Sequence, residues 1–412
     1  MSSGSNMGFT LYALILVTVV GLVEVALMRV CVPHWWRTRT GKLVAVGAPA
    51  LTLVSTVLWI MARSWGLGEF QALFQFASSA GSVFTLALLL AWPVAGVLHL
   101  ADWLWEKRRQ PSQTRAKAES SETVAGGVVD PSRRAFLRSA AIIAPATAFS
   151  ASGAGVLNVF NDVAIREFTF RFENLPPALD GFRILQLCDS HIGYSFTIRD
   201  FDRLAERLSG QSFDMVALIG DVADDLDALP TALSLADQLR PRYGVFATLG
   251  NHEFYRGIGR VLKAYDASPV PLLINSGSRF AVGDAQVYVG GANDPVSMGW
   301  GFDSAGFYDA ATRESLFGAQ PGDFVIYLTH RPGGFEPASQ LGANLILAGH
   351  THGGQVGLFN RSLFERFVDN AYLWGHYRLN QSQLYTSAGV GQWFPFRLGC
   401  PSEAPIITLR RA

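Results

Sequence analysis

The sequence predicts an all-α transmembrane region followed by a layered α/β domain. Three observations carry this. Long uncharged apolar runs fill residues 9–100. After Asp162 the pattern changes to short β-branched runs with helical stretches between them. Several of those runs end in polar strings rich in aspartate and histidine.

The 412 residues exceed one domain of the usual length, about 100–200 residues. The 33 basic and 33 acidic residues give no net charge, so nothing global favours nucleic acid or an anionic surface. Cys31, Cys188 and Cys400 show no CxxC spacing, which argues against a thiolate zinc site or a disulfide framework. A single Cys188–Cys400 pair is the one bridge left open.

Residues 9–30 are apolar up to the flanking Arg29, apart from Glu24; residues 43–62 and 71–100 carry no charge. Each is long enough to cross a bilayer, which takes about 20 helical residues. Buried helices of soluble proteins are shorter and amphipathic. Arg29, Arg37, Arg39 and Lys42 lie between the first two spans, and Lys107, Arg108, Arg109, Arg115 and Lys117 follow the third, so both loops belong in the cytoplasm. Residues 1–105 thus read as three transmembrane helices. Apart from Glu24 they hold no intramembrane charge, which suits anchoring better than an ion path.

Residues 106–131 read as a cytoplasmic linker, rich in Ser, Ala, Glu and Lys from 110 onward with no hydrophobic period. Then comes Ser132-Arg133-Arg134-Ala135-Phe136-Leu137-Arg138, followed by an uncharged, mildly apolar stretch over 139–160. The string resembles a twin-arginine export signal; the alternative is an ordinary basic flank on a helix. Either reading makes 132–160 a fourth membrane segment. Residues 161–412 then lie on the outer side of a bacterial cytoplasmic membrane, with the twin-arginine translocase as a partner during export. Ala146-Thr147-Ala148 offers a small-residue cleavage site and leaves anchored or released open.

In the last region, 182–188, 215–219, 245–249, 287–290, 324–329 and 345–348 read as strands, and 199–209 and 228–239 as helices. The strand ends run into Asp189-Ser190-His191, Gly220-Asp221-Val222-Ala223-Asp224, Gly250-Asn251-His252-Glu253, Thr329-His330 and Gly349-His350-Thr351-His352-Gly353-Gly354. Loops at the carboxyl ends of strands converge on a crevice in layered α/β sheets. Of the six histidines after residue 161, all but His376 fall in these strings, which scatter would not produce.

The order D-x-H, G-D-x-x-D, G-N-H-E, H and G-H-T-H resembles the calcineurin-like metallophosphoesterase superfamily, over residues 167–412. The terminal Gly389-Val390-Gly391, Pro395-Phe396-Arg397-Leu398-Gly399-Cys400-Pro401-Ser402-Glu403 is similar to its bacterial membrane-associated, phosphodiesterase-like branch. The resemblance implies an α/β/β/α sandwich. It also implies one metal held by Asp189, His191, Asp221 and His352 and a second by Asn251, His330 and His350, with Asp221 bridging. Mixed carboxylate, imidazole and amide donors suit Mn, Fe or Zn.

Two such ions would clamp a phosphoryl group and generate a bridging hydroxide as nucleophile. Asp221 and His252 are then the expected catalytic residues. His252 would protonate the leaving oxygen with Glu253 orienting its ring, a structural role being the alternative. Asp224 is expected to orient the site by hydrogen bonding, or to be a plain helix N-terminal carboxylate. Gly353 and Gly354 allow close backbone approach or make a simple turn.

The metal core does not name a substrate. Protein phosphatases of the superfamily carry Arg-Gly after the second motif; Asp224-Asp225-Leu226 stands here and argues against that class. The expected partners are a phospholipid, glycolipid or other envelope phosphoester and the membrane, not nucleic acid. Soluble monoesters or nucleotides are one alternative, and a metal-binding sensor without turnover another. Aromatics near 300–307, 372–377 and 393–396 are either core or a surface for acyl chains.

Overall fold

The computed structural model describes residues 3–64, 68–109, 131–193, 195–299, 304–367, 372–392 and 394–412. Of the expected linker over 106–131, residues 106–109 continue α4 (Gly68–Arg109), Pro131 begins α5 (Pro131–Leu157), and 110–130 lie outside these residues, as do the aromatics Trp300, Phe302 and Trp393. The chain forms two compact units, Met1–Val156 and Leu157–Ala412.

The first unit is helical: α1 (Ser3–Cys31), a short α2 (Pro33–Trp36), α3 (Arg39–Ser64), α4 (Gly68–Arg109) and α5 (Pro131–Leu157). Among the described residues, four stretches are long and apolar enough to cross a membrane: Leu14–Cys31, Arg39–Ala62, Leu73–Ala101 and Ile143–Phe160. Leu22, Leu43 and Leu90 point outward although they are large and apolar, a pattern that suits lipid rather than water. Small residues let α1, α3 and α4 approach closely. A Cβ on Gly21 would sit 2.7 Å from that of Pro49, and one on Gly96 only 2.8 Å from Cys31 Sγ. Glu24 is buried and accepts a 2.6 Å hydrogen bond from Trp92 Nε1, tying α1 to α4.

The second unit holds two sheets. One has the order β1-β13-β2-β3-β4, with β1 at Ala164–Phe172, β2 at Arg183–Cys188, β3 at Met215–Ile219, β4 at Val245–Thr248 and β13 at Glu403–Arg411. The other runs β11-β12-β8-β7-β6-β5, with β5 at Ser276–Val282, β6 at Ala285–Gly291, β7 at Phe324–Leu328, β8 at Leu345–Ala348, β11 at Gly375–Leu379 and β12 at Ser382–Thr386. A two-stranded hairpin, β9 (Gly357–Leu358) and β10 (Arg361–Ser362), stands apart from both. α6 (Ile198–Leu208), α7 (Leu229–Asp237) and α8 (Asn251–Asp266) cover the first sheet; α9 (Ser304–Leu316) and α10 (Phe335–Gln340) cover the second.

The expected α/β/β/α layering is therefore present, and β3 shows why its strands lack polar alternation. Met215, Ala217 and Ile219 face the core between the sheets, while Val216 and Leu218 face α6–α8. Both faces are dry. β2, β3 and β4 run parallel, as do β6, β7, β8 and β12, so their carboxyl ends gather at common edges. All three cysteines are free thiols, so the Cys188–Cys400 bridge left open by the sequence does not form.

Candidate metal centre

Three of the five strings found at strand ends turn the chain sharply. Five of the seven expected ligands adopt left-handed backbone: Asp189 (φ 52°), His191 (46°), Asp221 (50°), His350 (70°) and His352 (48°). Each such turn costs an L-residue on the order of 1 kcal/mol or more, and strain of this kind gathers where function requires it. Close approach explains the preceding glycines. A Cβ on Gly220 would lie 2.6 Å from His330 Nδ1, and Cβ atoms on Gly250 and Gly349 would strike the carboxylates of Asp221 and Asp189.

These turns bring all seven residues together. Asp189, His191 and His352 form one cluster of convergent donor atoms and Asp221, His330 and His350 another, each within 4.8 Å. His191 Nε2 lies 3.2 Å from His352 Nε2; His330 Nε2 lies 3.1 Å from Asn251 Oδ1 and 3.2 Å from His350 Nδ1. Asp221 Oδ2 stands between the clusters, 3.5 Å from His191 Nε2 and 3.3 Å from His330 Nε2. Ring nitrogens facing one another around buried carboxylates aim their lone pairs at shared points. Such a nitrogen and oxygen set fits divalent transition cations. A third convergence, His191, Asp221 and His252, was not expected.

The surrounding hydrogen bonds revise one expected role, that of Glu253. His252 Nδ1 lies 2.6 Å from Asp224 Oδ1, and its backbone N–H donates to Asp221 Oδ1 at 2.8 Å. Arg256 Nε donates to the same Asp224 oxygen at 3.0 Å. Glu253 does not meet the imidazole. It accepts from the backbone N–H groups of Asp221 (2.9 Å), Val222 (2.9 Å) and Gly250 (2.8 Å), clamping the loop after β3 to the start of α8. The reason is helical geometry: 252 and 253 are consecutive in α8, and neighbours i and i+1 do not face each other.

Protons distribute unevenly over the clusters. Burial disfavours a charged His330, yet the Asp221 carboxylate beside it pushes its pKa up to about 10. Burial likewise opposes charge on His191, but Asp224 and Asp221 raise it. Burial and these two rings hold His350 and His352 well below the usual range. Each cluster therefore pairs one imidazole drawn toward its proton with one kept neutral. For Asp224, burial is outweighed by His191 and His252, which keep its carboxyl well below normal; burial and the charge of Asp221 raise Glu253.

Sequence reasoning assigned no role to Arg397, which is fully buried. Its Nη2 donates to the carbonyls of Ala388 (2.9 Å) and Gly391 (2.6 Å), its Nη1 to those of Cys400 and Pro401 (3.2 Å each), and its Nε to Gln392 Oε1 (3.1 Å). Nη2 also lies 3.4 Å from His352 Nδ1. The buried Glu403 carboxylate accepts from Trp374 Nε1, Tyr385 Oη, Ala388 N and Arg166 Nη1. The only signal for both was the string over 389–403.

The expected aromatic clusters are mostly core. Trp374 is buried, and Phe307, Tyr372 and Tyr377 pack against the layer around Phe335. Exposed aromatics stand elsewhere, among them Phe359, Phe364 and Phe367.

Residues 182–354, which contain every expected ligand, match the family of calcineurin-like phosphoesterases. An uncharacterized metallophosphoesterase of Campylobacter jejuni is 28% identical over 261 residues, covering 62% of this chain and 66% of that protein. A transmembrane protein with metallophosphoesterase domain from Bos taurus is 27% identical over 303 residues, 69% of this chain and 65% of its own length. An uncharacterized metallophosphoesterase of Bacillus subtilis is 25% identical over 251 residues, 59% of this chain and 84% of its own length. The chain thus spans just under two thirds of the first two. Its second unit is a calcineurin-like metallophosphoesterase domain, and its four apolar helices, with relatives named as transmembrane proteins, mark it as membrane-associated.

Proposed function

We propose that this protein is a hydrolase of phosphoric esters, phosphodiesters above all, working at a pair of divalent cations. Asp189, His191, Asp221 and His352 would hold one ion, and Asn251, His330 and His350 the other, with Asp221 shared. The observation that carries the reading is the placing of Asp221 Oδ2, within 3.5 Å of His191 Nε2 on one side and 3.3 Å of His330 Nε2 on the other. Mn, Fe or Zn held there supplies positive charge against phosphoryl oxygens and acidity that makes hydroxide available near neutral pH.

The chain's own contribution is position and a proton. Asp224 fixes His252 through Nδ1, which leaves Nε2 as the nitrogen that can hold a proton for the departing oxygen. Arg256 steadies Asp224, and Glu253 keeps the Asp221 turn closed on α8.

Membrane association favours an envelope substrate, a phospholipid or glycolipid ester. We further read 1–105 as three anchoring spans, 106–131 as cytoplasmic, and 132–160 as a twin-arginine-like fourth span recognised by the twin-arginine translocase. That topology sets 161–412 on the outer face of a bacterial inner membrane. A reporter fused after Leu157 tests it, since activity of a cytoplasm-only reporter would reverse the assignment.

The decisive assay is hydrolysis of bis(p-nitrophenyl) phosphate by the full chain, with metal analysis of the same preparation. Turnover that a chelator stops and Asp221→Asn abolishes is the expected result. Metal uptake without turnover would instead make the domain a binding or sensing module.

A further inference from the structure

Large apolar side chains on a protein surface are ordinarily scattered singly. Between 358 and 367 they are crowded: Phe359 is 88% and Phe367 82% exposed, and Leu358, Leu363 and Phe364 are each about half exposed. Leu358 and Phe359 belong to the β9–β10 hairpin, and Leu363, Phe364 and Phe367 to the turn that follows it. Phe359 (φ 50°) and Asn360 (φ 61°) both take left-handed backbone at the hairpin tip. A two-residue turn of this form favours Asn-Gly, and nothing in the turn itself calls for phenylalanine.

The hairpin is stitched to the place where the chain leaves its last apolar helix. Leu398 N–H donates to Gln355 O and Gly357 N–H to Leu398 O, both at 2.9 Å. The preceding residue, Arg397, accepts through its backbone oxygen a 3.0 Å hydrogen bond from Asn158 Nδ2. Asn158 lies in the last turn of the fourth candidate span, Ile143–Phe160. One strap therefore holds the apolar tip and the end of that span at the same end of the domain. It also borders the metal centre: Cys400 Sγ donates to His352 O at 3.4 Å, and Phe364 packs on Gly354, two residues beyond His352.

From this juxtaposition we propose that residues 358–367 form a tip that dips into the surface of the bilayer holding the chain, so that phosphoesters resident in the membrane are presented to the adjacent centre. Leu, Phe and the exposed Arg366 suit the boundary between acyl chains and headgroup phosphates, where short apolar elements bury about 5–10 Å deep. The tip rests on the membrane reading of the four helices. It does not depend on turnover.

The test uses the full chain in vesicles of phosphatidylethanolamine and phosphatidylglycerol. Phe359→Cys and Phe367→Cys would each be labelled with an environment-sensitive fluorophore, with Phe317→Cys, 91% exposed on another part of the domain, as the reference site. Acyl-chain-attached nitroxide lipids should quench the labels at 359 and 367 at least several-fold more than the label at 317. Equal quenching at all three sites, or none at 359 and 367, overturns the proposal. So does energy transfer between labelled copies without lipid quenching, which would assign the patch to self-association. Because the readout is lipid contact, an inactive enzyme would refute the hydrolase reading and leave this result standing.

Discussion

The two sheets arm the cleft with different chemistry. β2, β3 and β4 run into Asp189, His191, Asp221, Asn251 and His252 and so bring every carboxylate of the two clusters; β7 and β8 run only into His330, His350 and His352. Their bracing differs in the same sense. The acidic side is set by a buried anion, Glu253, that gathers backbone N–H groups; the imidazole side is set by a buried cation, Arg397, that gathers backbone carbonyls. Buried charge is tolerated when its hydrogen-bonding capacity is filled, and each ion here does so by fixing a loop. Both of the clusters matched to the expected ligand sets draw on both sheets, so the centre requires the closed sandwich.

The largest effect is expected at Asp221, the residue the two clusters share. Asp221→Asn should lower metal-dependent diester hydrolysis by roughly 10³-fold, the scale of removing a central electrostatic group. Retained turnover would mean that the two clusters work independently. The bracing ranks next. Arg397→Met strands several buried carbonyls and should cost about 3 kcal/mol, against about 1–2 kcal/mol for Glu253→Gln, which keeps one acceptor oxygen. Thermal unfolding of the full chain measures both, and equal losses would erase the asymmetry drawn here.

A smaller effect is expected at the proton donor. His252→Asn should slow esters with alkyl leaving groups by about 10²-fold while slowing p-nitrophenyl esters far less, because p-nitrophenolate departs without help. Equal slowing of both would assign His252 to positioning instead. The pH effect is small per unit but spread over a wide window. His330 is raised from 6.5 to about 10, so in the ion-free protein its proton stabilises the fold fully below about 6.5, and that contribution is lost as pH rises toward 10. A metal needs the same nitrogen, so affinity should rise over this window by up to about tenfold per pH unit. Calorimetric Mn titrations at several pH values would show it, and a flat profile would dispose of the proton competition.

Legibility in the sequence followed the range of the interactions. The strands at 215–219 and 345–348 announce themselves because both faces are buried and every residue is apolar. The ligands were visible because each directly follows such a run. β1 and β13 were not: β1 is alternating and partly exposed, and each gains its strand partners only from the far end of the chain. α8 was missed because its N-cap, Gly250, offers no capping side chain, although Glu253 at the third helical position was a signal. Arg397 in a Gly- and Pro-rich stretch looks like surface, and only tertiary structure collects carbonyls around it. The Glu253 error came from treating neighbours in sequence as neighbours in space.

The pairing of β1 with β13 sets a timetable. β1 touches its sheet only through β13, and Arg171 of β1 donates to the backbone oxygen of Arg411 across 240 positions of chain. At a synthesis rate of about 5–20 residues per second, β1 waits on the order of tens of seconds for its partner. During that wait β1 has no strand beside it in its sheet. Until its last strand arrives, such an unpaired edge is open to pairing with other chains.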